Sequence, residues 1–176
     1  MKHLKLFENW DQEAYNRLVK MGLAKSAEEY LDELRDNPVG ANIPPEVLDE
    51  LAKDKQPYIR LSVAKNINTP VKTLDRLSVD KTASVRWMVA ENPNTSIETL
   101  DRLAGDIDTL VRITVAENPN TSIETLDRLS TDKDWQVRDT IARNPNTSTE
   151  TLKMLAGDKS MHVRWEAAAN LNNRNR

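Results

Sequence analysis

The sequence predicts an all-α solenoid of about five two-helix repeats, and three observations carry that prediction. Asparagines recur every 26 residues at Asn66, Asn92, Asn118, Asn144 and Asn170. Leucines keep the same interval at Leu74, Leu100, Leu126 and Leu152, and again at Leu77, Leu103, Leu129 and Leu155. An aspartate also stands six residues before an arginine in every copy: Asp54 and Arg60, Asp80 and Arg86, Asp106 and Arg112, Asp132 and Arg138, Asp158 and Arg164. A helix pair of this size cannot bury its apolar stripe alone, so a regular period means that neighbouring copies stack to build a continuous core.

Residues 1–40 precede the register and are expected to cap the stack at its amino end. Trp10, Tyr15, Leu18, Val19 and Leu23 fall at helical spacing, and Tyr30, Leu31 and Leu34 follow a capping box at Ser26 and Glu29. Leu4, Leu6 and Phe7 of the opening MKHLKLFENW are expected to pack on these helices. Asp36 to Gly40 supplies the turn into the repeats. Copies are then expected over 41–65, 66–91, 92–117, 118–143 and 144–169, with a short polar tail over 170–176 that frays.

Each copy reads as two short helices. Thr95 and Glu98, Thr121 and Glu124, and Thr147 and Glu150 have the spacing of a reciprocal cap on the first helix, while Thr69 is followed by Pro70 at the expected first helical position. Ile97, Leu100, Leu103 and Ala104 form the expected buried stripe, with Glu98, Asp101 and Arg102 outward. Gly105 and Gly157 follow the first helix, where a left-handed terminator is useful. The second helix begins after Asp106, turns Val111, Val115 and Ala116 inward, and ends at Asn118-Pro119 because a residue before proline disfavours helix.

The motif N-P-N-T-S-x-E-T-L-x-x-L-x-x-D-x-x-x-x-V-R, from Asn92 to Arg112 and again from Asn118 to Arg138, resembles the leucine-rich repeat variant family. That resemblance implies a right-handed helical solenoid over residues 41–169, and leaves 1–40 uncovered. It is also similar to HEAT repeats, which keep an aspartate and an arginine six residues apart. The likeness implies that the aspartates cap the second helices and the arginines bridge to them within and between copies. Asn66, Asn92, Asn118 and Asn144 are expected to tie down local backbone amides at the turns. Some members of the variant family carry an iron–sulfur cluster on cysteines ahead of their repeats, and a chain without cysteine cannot. The family fixes a shape and leaves function open.

Composition narrows the function further. The chain carries 25 basic and 28 acidic side chains for a formal charge of -3, so no global field draws it to phosphate backbones or anionic lipid. No apolar run is long enough to cross a bilayer, and the start is interrupted by charge too early for a signal peptide. A soluble, cytoplasmic monomer is the expectation. His3 and His162 have no partner at ligand spacing, the glycines form no phosphate loop, and the serines and threonines lack a recognisable base. No catalytic residue, cofactor or metal is assigned.

Positions where copies disagree are freer to serve a partner than positions they share. The residue after the repeated Val-Arg pair, or its counterpart, is Leu61, Trp87, Ile113, Asp139 or Trp165. The tryptophans there are either contact residues or packed under a neighbouring helix. Trp135 is expected in the loop between helices, where its counterparts are Pro57, Ala83, Thr109 and Met161. The expected function is a non-catalytic scaffold that binds an unidentified protein. Nucleic acid is the alternative, but Lys65, Glu91, Glu117, Arg143 and Ala169 form no basic line, and the pairs Asp75-Arg76, Asp101-Arg102 and Asp127-Arg128 neutralise themselves. The K-L-F-E opening also resembles the start of many tailed-phage proteins, which adds a virion or host-interaction role as a third reading.

Overall fold

Short helices form here because local chemistry sets both of their ends. Ser96, Ser122 and Ser148 are extended N-caps whose side chains accept the amides of Thr99, Thr125 and Thr151, and each seven-residue helix closes on a right-handed residue, Ala104, Ser130 or Ala156. The computed structural model describes residues 16–18, 20, 22, 24–40 and 42–174. It divides into two units, residues 1–94 and 95–176.

The first unit holds α1 (Ala24–Asp36), α2 (Pro45–Leu51), α3 (Pro57–Lys65), α4 (Val71–Leu77) and α5 (Ala83–Glu91). α3 packs on α1, α2, α4 and α5, around Leu48, Leu51, Val63, Leu74, Val85 and Val89. Leu18 and Leu34 are buried, Arg17 pairs with Glu50 at 2.5 Å, and Glu33 accepts the amide of Asn42. α1 begins at Ala24, two residues ahead of Ser26, so Ser26 lies within the helix and does not cap it. The expectations for Leu4, Leu6, Phe7, Trp10, Tyr15, Val19 and Leu23, and for the side chain of Leu31, lie outside the described residues.

The second unit holds α6 (Ile97–Leu103), α7 (Thr109–Glu117), α8 (Ile123–Leu129), α9 (Trp135–Arg143), α10 (Thr149–Leu155) and α11 (Met161–Arg174). α7 packs on α9 and α9 on α11, with α6, α8 and α10 beside them. Leu100, Leu126 and Leu152 have no exposed surface, nor do Val111, Val115, Val137, Ile141 and Val163. Ala116 and Ala142 are equally buried, and their small side chains let successive second helices approach closely.

The cap falls one residue later than the sequence suggests, and this turns the first helix about its axis. Thr95 yields the cap to Ser96, Thr121 to Ser122 and Thr147 to Ser148, while Pro70 is itself the cap residue and Val71 begins α4. Thr69, Thr121 and Thr147 instead donate their hydroxyls to the carbonyls of Val63, Val115 and Ile141 in the helix before. Ile97 and Ile123 consequently stand about half exposed, and Thr99 and Thr125 enter the core. We predict that Ser122→Ala lowers stability by about 1 kcal/mol, whereas Glu124→Ala, on the exposed side, changes it by under about 0.5 kcal/mol. Paired urea titrations measure the difference.

Two further expectations are corrected. Gly105 and Gly157 are not left-handed; among the described residues Gly22 is the one at positive φ. A Cβ on Gly105 would meet the Arg102 carbonyl at an ordinary 3.5 Å, and Lys53, Val79 and Thr131 occupy the same position in other copies. Residues 170–174 are not a frayed tail, because α11 continues through Asn170 to Arg174. Arg174 holds that extension by donating to the Asn170 side chain at 3.0 Å and to the Pro145 carbonyl at 2.7 Å.

Candidate interaction surface

Three polar columns hold successive copies together, and what they leave uncommitted defines the surface. In the second unit, Arg112 donates Nη1 to the Asp106 carbonyl at 2.8 Å and closes Nε and Nη2 on Asp132 of the next copy at 2.7 and 3.0 Å. Arg138 repeats this with the Asp132 carbonyl and the Asp158 carboxylate, and Arg60 repeats it in the first unit with the Asp54 carbonyl and Asp80. Arg86 makes the own-copy bond to the Asp80 carbonyl, and Arg164 to that of Asp158. Two parallel bonds to one carboxylate fix both distance and orientation between copies.

The aspartates do not cap the second helices. Asp54, Asp80, Asp106, Asp132 and Asp158 each accept the amide two residues on, which braces the turn ahead of the helix. The cap belongs to the residue so held, and Asp108 and Asp134 accept the amides of Leu110 and Gln136. Burial pushes the Asp80 and Asp132 carboxyls up, but hydrogen bonds from Arg60 and Arg112 and from the turn amides outweigh it and hold both below the usual value. The Arg138 hydrogen bond does the same for Asp158.

The asparagines do more than tie their own turns. Asn66, Asn92, Asn118 and Asn144 accept the amides of Asn68, Asn94, Asn120 and Asn146. The Asn92 side chain also donates to the carbonyls of Ala64 and Asn66, and that of Asn144 to the carbonyl of Ala116. One side chain thereby serves two copies. A third column lies along the first helices: Arg76 pairs with Asp49 at 2.7 Å and Arg128 with Asp101 at 2.9 Å. The adjacent Asp-Arg residues therefore neutralise across copies instead of within one.

Against these columns the divergent positions separate. In the first unit Leu61 is half-buried and Trp87 is 40% exposed. In the second, Ile113 and Asp139 are half-buried, with Asp139 paired to Arg143 at 2.9 Å, and Trp165 is 68% exposed. Trp135 is not in a loop: it opens α9, and its ring stacks on His162 with centroids 5.4 Å apart. His162 likewise lies within α11, next to the exposed Met161. Trp135 and His162 thus form one pair on the second unit, and Met161 and Trp165, one helical turn apart on α11, form another.

Ile107 and Leu110 were not among the candidates, yet both are exposed, Ile107 by 89%. A signal for Ile107 existed, because Lys55, Lys81, Lys133 and Lys159 occupy the same position in the other copies. An isoleucine thus stands exposed where every other copy places a lysine.

Among the described residues no group of three histidine, aspartate or glutamate side chains is placed to hold a metal ion, and no helix is long and apolar enough to cross a membrane. His3 lies outside the described residues. A shallow hollow of about 420 Å³ lies in the second unit among Arg143, Pro145, Glu166, Asn170 and Arg174, with no nucleophile beside a base.

Residues 109–134 match the family model for the leucine rich repeat variant. The chain is similar to a solved structure described as a leucine-rich repeat variant with a novel repetitive protein structural motif, with a TM-score of 0.63 and 28% identity. That likeness covers 90% of this chain and 60% of the solved one, so the chain spans less than two thirds of its length. No curated protein matches the sequence. The all-α repeat fold expected from the period stands.

Proposed function

Because the chain belongs to the leucine-rich repeat variant family, a helical-repeat scaffold, we propose that it works by binding a protein partner in the cytoplasm, without chemistry of its own. The observation that supports this reading is the contrast between columns. Shared positions such as Arg112, Arg138 and Asn144 are spent on holding copies together, whereas divergent positions of the second helices and of the turns ahead of them leave Trp87, Trp135, Ile107, Leu110 and Trp165 open to solvent. Exposed aromatic side chains on a rigid helix present large contact area at little entropic cost, which suits a binding surface. Asp139 and Ile113, the half-buried counterparts of Trp165 one and two copies back, are proposed as its rim, and Leu61, the counterpart of Trp87, as that of Trp87.

Protein is favoured over nucleic acid by the charge pattern. The second helices end in Lys65 and Glu91 in the first unit, and in Glu117 and Arg143 in the second, so each unit pairs one cation with one anion where a phosphate backbone needs a continuous basic track.

The test is affinity capture with the purified chain as bait, one arm treated with nuclease. Trp87→Ala and the pair Trp135→Ala/Trp165→Ala are the controls, each shown by thermal melting to stay folded. We expect a nuclease-resistant protein whose recovery falls at least about tenfold with one of these variants, since a contact tryptophan is worth 2 kcal/mol or more. Recovery that nuclease abolishes would give the site to nucleic acid, and recovery unchanged by either variant would refute the surface.

A further inference from the structure

Two departures from the register meet in one hollow of the first unit. Met88 stands where the other copies place Ser62, Thr114, Thr140 and Glu166, all of them polar, and Ile67 stands where three copies place Pro93, Pro119 and Pro145. Both line a hollow of about 170 Å³ together with Val39, Lys65, Glu91 and Pro93. Met88 is buried, whereas Val39 and Ile67 are 44% and 45% exposed, so the apolar lining runs from the interior to the surface. The Ile67 amide donates to the Val39 carbonyl at 3.0 Å and the Asn94 side chain donates to the Ile67 carbonyl, which holds the isoleucine in place.

The hollow lies between two copies that are both present, so its opening does not come from a missing neighbour. In the second unit Glu117, Thr140, Arg143 and Pro145 line a hollow of about 200 Å³ at the same register positions, and it stays open although a further helix pair, α10 and α11, follows. The two differ in chemistry. Thr140 takes the place of Met88 and spends its hydroxyl on the Gln136 carbonyl at 3.0 Å, and Arg143 takes the place of Glu91 and pairs with Asp139. In the first unit Lys65 and Glu91 are exposed, and neither has an ion-pair partner among the described residues. There an apolar hollow is bordered by one uncommitted cation and one uncommitted anion.

Volume sets the size of the occupant. A space of about 150 Å³ holds one benzene-sized group, whereas sites that enclose a drug-sized or cofactor-sized molecule begin at about 300 Å³. We propose that the hollow docks a partner protein through a single aliphatic side chain, on a segment that brings a carboxylate to Lys65 and a lysine or arginine to Glu91. Burial of that side chain against Met88, Ile67 and Val39 supplies the attraction, and the two charges select which segments fit. This inference rests on the scaffold reading for the partner being a protein, and it uses none of the tryptophans.

The test pans a phage-displayed library of random linear peptides against the full immobilised chain. Selected peptides are expected to share one leucine, isoleucine or methionine with an acidic residue on one side and a basic residue on the other. They should bind Met88→Thr about tenfold more weakly, the fold-change for losing a large part of one side chain's burial. That variant should stay folded, because Thr114 and Thr140 at the same position donate their hydroxyls to the carbonyls of Leu110 and Gln136. The exchange Lys65→Glu/Glu91→Lys alters exposed residues alone and should weaken the same peptides about fivefold, while peptides with their two charges exchanged regain the loss. Peptides without an aliphatic residue, equal affinity for parent and Met88→Thr, or no enrichment over the bare support would overturn the proposal. So would a dimer in sedimentation that Met88→Thr dissolves, which would make a second copy the occupant. Trp135→Ala/Trp165→Ala is expected to leave peptide binding unchanged, so the tryptophan surface and this hollow fail on different variants.

Discussion

Arg112→Ala is expected to cost the second unit about 3–5 kcal/mol, the range for breaking a buried ion pair by removing one partner. The arginine side chain is 5% exposed and that of Asp132 10%, so alanine leaves a carboxylate facing protein with its main counter-charge gone. The carbonyls of Asp106 and Ile107 lose a donor in the same step. The pair itself contributes far less than the cost of breaking it, because both charges are desolvated in forming it. The double variant Arg112→Met/Asp132→Asn should therefore recover most of the loss, since asparagine can still accept the Asp134 amide that Asp132 holds at 2.8 Å.

The same substitution carries a pH signature. Burial raises the Asp132 carboxyl, and the bonds from Arg112 and the Asp134 amide bring it below its ordinary 3.8. A carboxyl depressed in the folded state contributes stability that is present above its unfolded value and is lost as pH falls through its folded value. Without Arg112 the burial that raises Asp132 is opposed only by the turn amide and Lys133, and the folded state tolerates protonation there. The gap between parent and Arg112→Ala should accordingly narrow as pH drops below 3.8, and urea titrations at neutral pH and in acid measure it. A gap constant across that range would mean that charge contributes nothing to the joint.

Leu126→Ala should cost about 2–5 kcal/mol, the loss for deleting a leucine side chain in a close-packed interior. Leu126 has no exposed surface and lies in α8, beside α7 and α9. Leu152→Ala should cost as much. A reading from repeat position alone expects end copies to lose less, but Leu152 is as fully buried as Leu126, because the first helix of the last copy packs on α9 and α11. The second helix of the last copy exposes Arg164 and Ala168, where the copy before buries Arg138 and Ala142. Ile123→Ala, three residues before Leu126 and half exposed, should cost under about 1 kcal/mol. Calorimetric melts of the three variants separate these positions, and an Ile123 loss equal to that of Leu126 would return the isoleucine to the core.

The core columns were legible because period is a global property of the sequence: Leu100, Leu126, Val111 and Val115 repeat at a step that only stacking explains. The local caps were less legible. Thr-Ser occurs before each of α6, α8 and α10, and both residues are good caps, so composition could not choose between them. The choice falls to Ser because the Thr121 and Thr147 hydroxyls are taken by carbonyls of the preceding helix, a contact six residues away in sequence but set by how the two helices cross. The candidate surface was legible at Trp87, Trp135 and Trp165 through disagreement between copies. Ile107 carried the same kind of signal in a column otherwise lysine.

Alone, the sequence determined the helix pairs, the 26-residue register, the leucine and valine core and the absence of thiol chemistry, because each rests on residue type and spacing. Only the tertiary structure decided which charges are spent. Asp-Arg and Asn residues that look identical from copy to copy differ in what lies 20 to 28 residues further along or back. Arg138 is closed by Asp158, while Arg164, at the same register position and also preceded by valine, makes only the bonds to its own turn among the described residues. Burial and pairing depend on the next helix in space, and spacing within one copy does not record it.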